Sequence, residues 1–240
     1  MFQHQGIWLP DGEKHFPEWM TRNGEIVNGK GTYQIKKFRE AMKHVKQFRT
    51  AVDVGAHVGL WSMHMQGRFK MLHAFEPVPQ FRECFLRNIH CPVKVKSTGY
   101  AGRELLYDYE LHDCALGAAE GSATMSMNDA DTGDTHIQRF INKGESFKNF
   151  GPIFQVRTLD SFAFIDIDFI KIDVEGYELE VLKGAVETLK RCKPCVIVEQ
   201  KPHKLLPNFG IKGTPAVDFL RSLGAVLRKE MGGDYIMSWD

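Results

Sequence analysis

Short apolar runs alternate along the chain with amphipathic and glycine-containing stretches, a pattern that predicts alternating strands and helices. The clearest run opens residues 51–59, AVDVGAHVG, where a brief β-branched segment ends at Gly55. Such a segment is typical of a buried parallel strand, and glycine permits a sharp turn after it. A helix is predicted to begin after Gly59, and its free N–H groups would form a polar cradle for a nucleotide-like ligand. An ordinary strand-to-helix turn is the alternative.

A second strand is predicted over residues 71–75, MLHAF, and Glu76 ends it. An acidic side chain at this point is well placed to accept hydrogen bonds from ribose hydroxyls. When ionised, Asp53 and Glu76 accept but do not donate, which suits a ligand that carries hydroxyl and amine groups. The dinucleotide fingerprint G-x-G-x-x-G is only partly matched, so the argument depends on the strand spacing.

Further elements follow the same alternation and predict a doubly wound α/β fold. Residues 1–31 show no clear period and are interpreted as an irregular arm, and residues 118–150 as hairpins or a mobile loop. A VKVK run within residues 91–104 is a candidate edge strand. The remaining predicted elements are a helix over 32–48, a helix over about 80–90, strand-like runs over 105–117, 154–157, 169–174 and 195–199, a helix over 214–223 with Thr214 as its cap, and a C-terminal hairpin.

The segment 168–184, DFIKIDVEGYELEVLKG, places two charges inside a predicted central strand. Lys171 and Asp173 are two residues apart, so their side chains point to the same face of the sheet. Buried charges are costly unless they are paired or functional, which favours a functional role for Asp173. Glu175 and Glu178 are explained equally well by the preference of a helix start for acidic residues.

Two more polar positions follow predicted strands. Asp113 comes at the end of the third strand-like run, where it is either a ligand contact or a simple turn residue. The strand 195–199 ends in Glu199, and His203 follows at the edge where ligands bind in open α/β sheets. His203 is a candidate general base near neutral pH, and an exposed loop histidine is the alternative.

Composition sets broad limits on the function. The 240 residues suffice for one α/β domain, expected over residues 50–240, with an arm and helix over 1–49 packed on it. A net charge of +1 argues against a nucleic-acid or membrane partner, and no apolar run has the length of a membrane span. The five scattered cysteines predict reduced thiols in a cytoplasmic setting, with Cys192 and Cys195 as structural residues. The oligomeric state is left open.

Several stretches in order carry a family resemblance: VDVGAHVGLWS, AFEP, ALG, TLD, DFIKIDVEGYELEVLKGA and VIVEQ. Across about residues 50–200 they resemble the FkbM family of S-adenosylmethionine-dependent methyltransferases. The resemblance implies a Rossmann-like, seven-stranded, mostly parallel sheet with an antiparallel final hairpin. It also implies S-adenosyl-L-methionine as cofactor and O-methylation of a small hydroxylated substrate, such as a carbohydrate.

The resemblance also implies site residues. The catalytic candidates are Asp173 and Glu175, to which His203 is added on its position after the fifth strand. His57 stands where many related enzymes have the middle glycine of the cofactor loop. The implied cofactor-binding residues are Asp53, Gly55, Ala56, His57, Gly59, Glu76, Pro77, Asp113, Cys114, Ala115 and Asp173.

The expected chemistry is simple because the sulfonium methyl group of the cofactor is already activated. The protein must chiefly align the acceptor oxygen with it, while Asp173 or Glu175 takes or orients the hydroxyl proton. No resident metal is predicted, although Asp173, Glu175 and Glu199 are conceivable oxygen ligands for a divalent ion. A non-catalytic binding module and a nicotinamide-dependent oxidoreductase are the alternatives from other classes.

Overall fold

The computed structural model of the protein describes residues 1–89, 94–95, 105–106, 108–127, 129–141, 152–201, 210 and 212–240. The helices are α1 His15–Asn23, α2 Ile35–Ala41, α3 Ser62–Met65, α4 Pro79–Asn88, α5 Glu178–Lys183, α6 Val186–Cys192 and α7 Pro215–Ser222. The strands are β1 Phe2–His4, β2 Ile7–Leu9, β3 Ile26–Val27, β4 Lys30–Gly31, β5 Thr50–Val54, β6 Met71–Phe75, β7 Lys94–Val95, β8 Leu105–Leu106, β9 Asp108–His112, β10 Ala115–Leu116, β11 Gly121–Ser126, β12 His136–Ile141, β13 Ile153–Arg157, β14 Ile167–Ile172, β15 Cys195–Glu199, β16 Val226–Glu230 and β17 Asp234–Ser238.

A seven-stranded sheet in the order β16-β17-β15-β14-β5-β6-β9 forms the centre of the fold. The pairs β5–β6, β6–β9, β5–β14 and β14–β15 are parallel, whereas β17 pairs antiparallel with both β15 and β16. The predicted mostly parallel α/β sheet with an antiparallel C-terminal hairpin is therefore confirmed. The order reverses between β5 and β14, so the carboxyl ends of these neighbours border a crevice where ligands bind in such folds.

The two faces of the sheet are covered by different helices because successive side chains of a strand alternate. Helices α5, α6 and α7 pack on even-numbered residues, namely Val52, Val54, Ile170, Ile172, Val196 and Val198. Helices α2 and α3 pack on odd-numbered residues, namely Ala51, Phe169, Cys195 and Ile197. Lys171 is also odd-numbered, so the buried charge lies on the face that α2 and α3 cover.

The N-terminal residues are more regular than the sequence pattern indicates. A β1–β2 hairpin and helix α1 fall within residues 1–31, so the prediction of an irregular arm is wrong. Apolar residues of this segment pack on the loop that follows β5 and on α4. The cluster consists of Ile7, Leu9, Phe16, Met20, Val58, Leu60 and Cys84. Burial of that apolar cluster stabilises the segment, although no local hydrophobic periodicity predicts it. The division into parts 1–49 and 50–240 stays a prediction.

Other element predictions differ from the structure in their bounds. The helix predicted over 32–48 is α2 followed by a short 3-10 turn, and Phe48 lies beyond it. The run 105–117 is divided among β8, β9 and β10. Strands β11 and β12 pair as a hairpin in a four-stranded sheet with the order β10-β13-β11-β12, which agrees with the hairpin alternative for residues 118–150. Most of 91–104 and 142–150 lies outside the described residues.

Thr214 is the N-cap residue of α7, as predicted, but its side chain makes no capping bond. The Ala216 amide donates instead to Oε1 of Gln200, at 2.8 Å. Cys192 and Cys195 are free thiols directed at the backbone oxygens of Phe164 and Ala41, which agrees with structural roles. None of the described helices is long and apolar enough to cross a bilayer.

Candidate functional site

A cavity of about 520 Å³ opens at the carboxyl ends of β5, β6, β14 and β15. This volume lies in the range of roughly 300–1,000 Å³ that is usual for small-molecule sites. The walls come from strand ends, from the N-terminal segment and from the β11–β12 hairpin. The residues that line this cavity include Phe16, Trp19, Tyr33, Gly55, Ala56, His57, Glu76, Pro77, Phe81, Ala115, Lys171, Asp173, Glu175, Glu199 and Lys201.

Gly55 brings the turn after β5 against the end of β14. Its φ of +73° is a conformation that side chains disfavour, and a Cβ atom there would stand 2.1 Å from the Asp173 carbonyl oxygen. Only glycine allows this approach, so the loops that follow β5 and β14 form one wall. This contact explains physically why the two motifs recognised in the sequence belong to one site.

The N–H cradle predicted at the start of the helix after Gly59 stays a prediction, but the amides of the turn that precedes this helix are bonded within the protein. The amides of Gly55 and Ala56 both donate to the Phe75 carbonyl oxygen, at 3.1 and 3.0 Å, and the Gly59 amide donates to Ala56. Helix α3 has only four residues, so it offers little helix dipole. Gly59 itself packs on α4, where a Cβ atom would meet the Phe85 ring at 2.9 Å.

His57 presents unsatisfied polar atoms at the cavity. Its φ is +51°, and its ring lies between Phe16 and Phe81, with centroid distances of 5.1 and 4.2 Å. Both ring nitrogens are buried and have no hydrogen-bond partner among the described residues. Burial lowers the pKa of His57 to about 3, so the imidazole is neutral at physiological pH. A neutral imidazole offers one donor and one acceptor to a bound polar group.

Glu76 is buried in the wall and bonded to the backbone. Its Oε2 accepts the His57 amide at 2.9 Å, and its Oε1 accepts the Val78 amide at 2.8 Å. Burial raises the pKa of Glu76 to about 7, while the two amide bonds act in the opposite direction. Each carboxylate oxygen can accept a second hydrogen bond, so Glu76 keeps capacity for two ligand hydroxyls.

A buried ammonium group forms the floor of the site. Lys171 Nζ lies 3.6 Å from Asp53 Oδ1 and 3.6 Å from Asp173 Oδ2, and it donates to the Gly55 carbonyl at 3.1 Å. Ser62 Oγ donates to the other Asp53 oxygen at 2.7 Å. Burial lowers the pKa of Lys171, but the nearby carboxylates more than offset this effect and raise it overall. The predicted shared face of Lys171 and Asp173 is confirmed.

Three carboxylates gather above Lys171. One oxygen from each of Asp173, Glu175 and Glu199 lies within 4.8 Å of the others, and Lys201 forms an ion pair with Glu199. Burial, followed by the charges of Asp173 and Glu175, raises the pKa of Glu199. Glu175 adopts a φ of +50°, which is uncommon for a residue other than glycine and often marks a functional turn.

Glu178 serves the helix and not the cavity. Its Oε1 accepts the amides of Gly176 at 2.9 Å and Val174 at 3.3 Å, and the side chain is buried. This is the structural role that the helix-start interpretation expects. Burial raises the pKa of Glu178 to about 7.

Some predicted site residues do not line the cavity. Asp53 is buried beneath it, Gly59 packs on α4, and Cys114 is part of the core. Asp113 is exposed at the end of β9 and does not contribute to the wall. Of the implied cofactor-binding residues Asp113, Cys114 and Ala115, only Ala115 lines the cavity. His203 lies outside the described residues. The cofactor and catalytic roles assigned to all of these residues stay predictions.

The N-terminal segment supplies a wall that the sequence analysis missed. Phe16, Trp19 and Tyr33 line the cavity, and the rings of Trp19 and Tyr33 lie 4.5 Å apart. Buried Glu13 fastens this segment to the β11–β12 region, because it accepts the Phe16 amide at 2.9 Å and the Thr132 amide at 2.7 Å. The available signal was that two of the chain's four tryptophans lie in this apparently aperiodic segment.

The strand order and the position of the cavity define a Rossmann-like methyltransferase fold. A family model for the methyltransferase FkbM domain matches residues 53–226, which is well over half of the chain. The chain belongs to the FkbM methyltransferase family, as the sequence resemblance indicates. Methyltransferases of such families generally use S-adenosylmethionine. No curated protein matches the sequence.

Solved structures with similar folds are distant in sequence. Methyltransferase FkbM from Methylobacillus flagellatus KT is 19% identical, with a TM-score of 0.47, over 80% of this chain and 43% of that protein. Precorrin-6y C5,15-methyltransferase from Geobacter metallireducens GS-15 is 12% identical, with a TM-score of 0.44, over 90% of this chain and 92% of that protein. N-methyltransferase NodS from Bradyrhizobium japonicum WM9 is 8% identical, with a TM-score of 0.41, over 86% of this chain and 97% of that protein. The chain thus spans less than half of the FkbM structure's length.

Proposed function

We propose that the chain transfers the methyl group of S-adenosylmethionine to a hydroxyl oxygen of a small hydroxylated molecule, such as a sugar. The observation that carries this proposal is the group of carboxylates, Asp173, Glu175 and Glu199, on the wall of one cavity. Carboxylates accept hydrogen bonds from hydroxyl groups and can take up the proton that an acceptor must lose.

The residues present fit the proposed cofactor. Buried polar atoms at the cavity, the ring nitrogens of His57 and the Thr135 hydroxyl, have no partner among the described residues. Glu76 keeps acceptor capacity for the ribose hydroxyls, and apolar Pro77 and Phe81 stand beside it. When bound, S-adenosylmethionine supplies an activated methyl group. The residues that would hold it are Gly55, Ala56, His57, Glu76, Pro77 and Ala115.

Side chains of the cavity would then orient the acceptor and take up its proton. Lys171 Nζ, 3.6 Å from Asp173 Oδ2, partly offsets the repulsion among the three neighbouring carboxylates, because an opposite charge attracts them. An ionised Asp173 or Glu175 can orient the acceptor hydroxyl and receive its proton. The cavity walls would exclude water and align the reacting oxygen, which contributes most where the methyl group is already activated.

The aromatic part of the wall supports a partly apolar acceptor. Trp19 and Tyr33 line the same cavity as the carboxylates, a combination suited to a molecule with both C–H surfaces and hydroxyl groups. No basic surface bias accompanies it, since the net charge is +1. A carbohydrate fits this combination better than a nucleic acid. The cytoplasmic setting stays a prediction.

A radiolabelled methyl-transfer assay tests the proposal. Full-length protein is incubated with S-adenosylmethionine labelled in the methyl group and with sets of hydroxyl, amine and carbon acceptors of similar size. We expect label in a hydroxylated acceptor, with turnover reduced by about 100-fold or more in Asp173→Asn. The control Asp218→Asn, which alters an exposed carboxylate on α7, should keep full turnover.

Two results would contradict the proposal. Transfer only to amine or carbon acceptors would reject O-methylation and keep the methyltransferase class. Binding of the cofactor without transfer to any acceptor would favour the non-catalytic binding module.

A further inference from the structure

A second cluster of metal-ligating side chains lies on the central sheet, and none of its members lines the cavity. In the parallel pairing of β6 with β9, His73 stands opposite Glu110, and Phe75 stands opposite His112. Positions that are paired, or two apart on one strand, share a face of the sheet. His73, Glu110 and His112 are therefore presented together, two imidazoles and one carboxylate, on one side of an edge strand.

The separations match those of ligand atoms around one small cation. His73 Nδ1 lies 3.1 Å from His112 Nε2 and 3.4 Å from Glu110 Oε2, and His112 Nε2 lies 3.8 Å from that oxygen. Tetrahedral zinc with bonds of about 2.0–2.2 Å places neighbouring ligand atoms about 3.3–3.6 Å apart. The three atoms thus outline one face of a tetrahedron. A hydrogen bond between the imidazoles is the alternative explanation of the 3.1 Å contact alone.

Aromatic rings enclose the cluster on its inner side. His73 packs on Phe164 at 4.4 Å, and His112 packs on both Phe75 at 4.4 Å and Phe162 at 4.9 Å, all measured between ring centroids. Such packing fixes the orientation of the two imidazoles and limits water around them. Glu110 is 57% exposed, so the triangle of ligand atoms opens to solvent and an ion has a path of entry.

The surrounding charge is favourable for a cation. Asp166 acts electrostatically on His73, and Asp113 acts on His112. Arg157 opposes this effect at His112, but its guanidinium group also lies over the Phe162 ring, at 4.2 Å. Three carboxylates, those of Glu110, Asp113 and Asp166, thus act on the cluster against one guanidinium group, that of Arg157.

We propose that His73 Nδ1, His112 Nε2 and the Glu110 carboxylate form a zinc site, with a fourth position for water. Two imidazoles and a carboxylate are a ligand set that zinc favours. The ion would join the edge strand β9 to β6 and hold the segment that leads from β9 to Ala115 in the cavity wall. This site is independent of the proposed methyl transfer.

Titration of tag-free, chelator-treated full-length protein with zinc chloride tests the proposal. We expect one zinc ion per chain by calorimetry, and a higher thermal unfolding midpoint with zinc because the ion binds the folded state. Cobalt(II) used as a probe should give the visible absorption of a tetrahedral site. Loss of a ligand in Glu110→Gln should weaken zinc binding by more than the roughly 10- to 100-fold that loss of an outer-shell partner costs.

Matched variants separate this site from others. Glu83→Gln alters a glutamate of similar exposure, 59%, and should bind zinc like the wild type. Asp173→Asn, in the carboxylate group of the cavity, should also keep the affinity. His112→Phe should lose zinc binding, and Glu110→Gln remains informative if that variant fails to fold, since Glu110 is mostly exposed. No uptake by the wild type, or equal uptake by Glu110→Gln, would overturn the proposal.

Discussion

Lys171 Nζ lies 3.6 Å from Asp173 Oδ2, and both residues belong to one strand and its immediate extension. The lysine side chain is 7% exposed and the aspartate 18%, so the ammonium is buried while the carboxylate reaches the cavity. The second carboxylate near the ammonium, Asp53, is fully buried on the neighbouring strand. One cation thus links the ends of β5 and β14 and orients the carboxylate proposed for catalysis.

Replacing the lysine should strongly destabilise the protein. Lys171→Met leaves Asp53 and Asp173 without their cation, and breaking a buried ion pair from one side costs about 3–5 kcal/mol. The measurement is the free energy of unfolding from urea denaturation. In the double variant Lys171→Met with Asp53→Asn, part of this loss should be recovered because one unpaired charge is removed.

The control for this prediction is Lys183→Met, which alters a lysine that is 45% exposed and paired with Glu180. Its effect should stay within about 0.5 kcal/mol. Equal unfolding free energies for Lys171→Met and the wild type would show that the buried ammonium does not stabilise the strand ends.

Glu13 should hold the N-terminal wall of the cavity in place. Glu13→Ala removes the acceptor for two buried amides and for the Thr132 hydroxyl, which should cost about 2–4 kcal/mol. Hydrogen exchange followed by mass spectrometry should show faster exchange in α1, with β5 and β14 still protected. The exposed Glu18, which lies on α1, provides the control Glu18→Ala. Unchanged protection of α1 in Glu13→Ala would contradict this role.

The pH dependence of the unfolding free energy should reflect the ionisation of the buried Glu178 carboxyl group. Burial raises its folded-state pKa from 4.5 to about 7, so ionisation costs more in the folded than in the unfolded chain. This contribution to stability is therefore present at low pH and is lost as the pH rises through about 7. Glu178→Gln removes it, and between about pH 5 and pH 8 the variant should gain up to about 3 kcal/mol relative to the wild type.

Other buried carboxylates, such as Glu76, titrate in both proteins and cancel in this comparison. Glu180→Gln, on the same helix and 33% exposed, should track the wild type across the whole range. Parallel pH profiles for the wild type and Glu178→Gln would show that burial does not perturb this carboxyl group.

The sheet could be predicted because its strands follow local rules. Residues 71–75 and 195–199 are strands with the predicted bounds, since short β-branched or apolar runs between breakers have few other stable conformations. The pairing of Lys171 with a carboxylate on its own face also followed from strand parity and from the cost of buried charge.

The cavity walls could not be predicted in the same way. The positions of Trp19 and Asp113 depend on how distant segments pack, and periodicity carries no such information. The amides of Gly55 and Ala56 both donate to the Phe75 carbonyl of the neighbouring strand, a pairing that nothing in the local sequence indicates. Glycine turns serve close packing as readily as ligand binding, and only tertiary contacts separate the two uses.

The central claim is that this cavity binds S-adenosylmethionine, with Glu76 at its ribose. The most direct measurement is calorimetric titration of the wild type and of Glu76→Ala with S-adenosylmethionine and S-adenosylhomocysteine. We expect micromolar-range binding of both ligands by the wild type and loss of that binding in Glu76→Ala, while the exposed control Glu83→Ala keeps it. Binding that is equal in Glu76→Ala would contradict the assigned contact, and no binding by the wild type would contradict the claim itself.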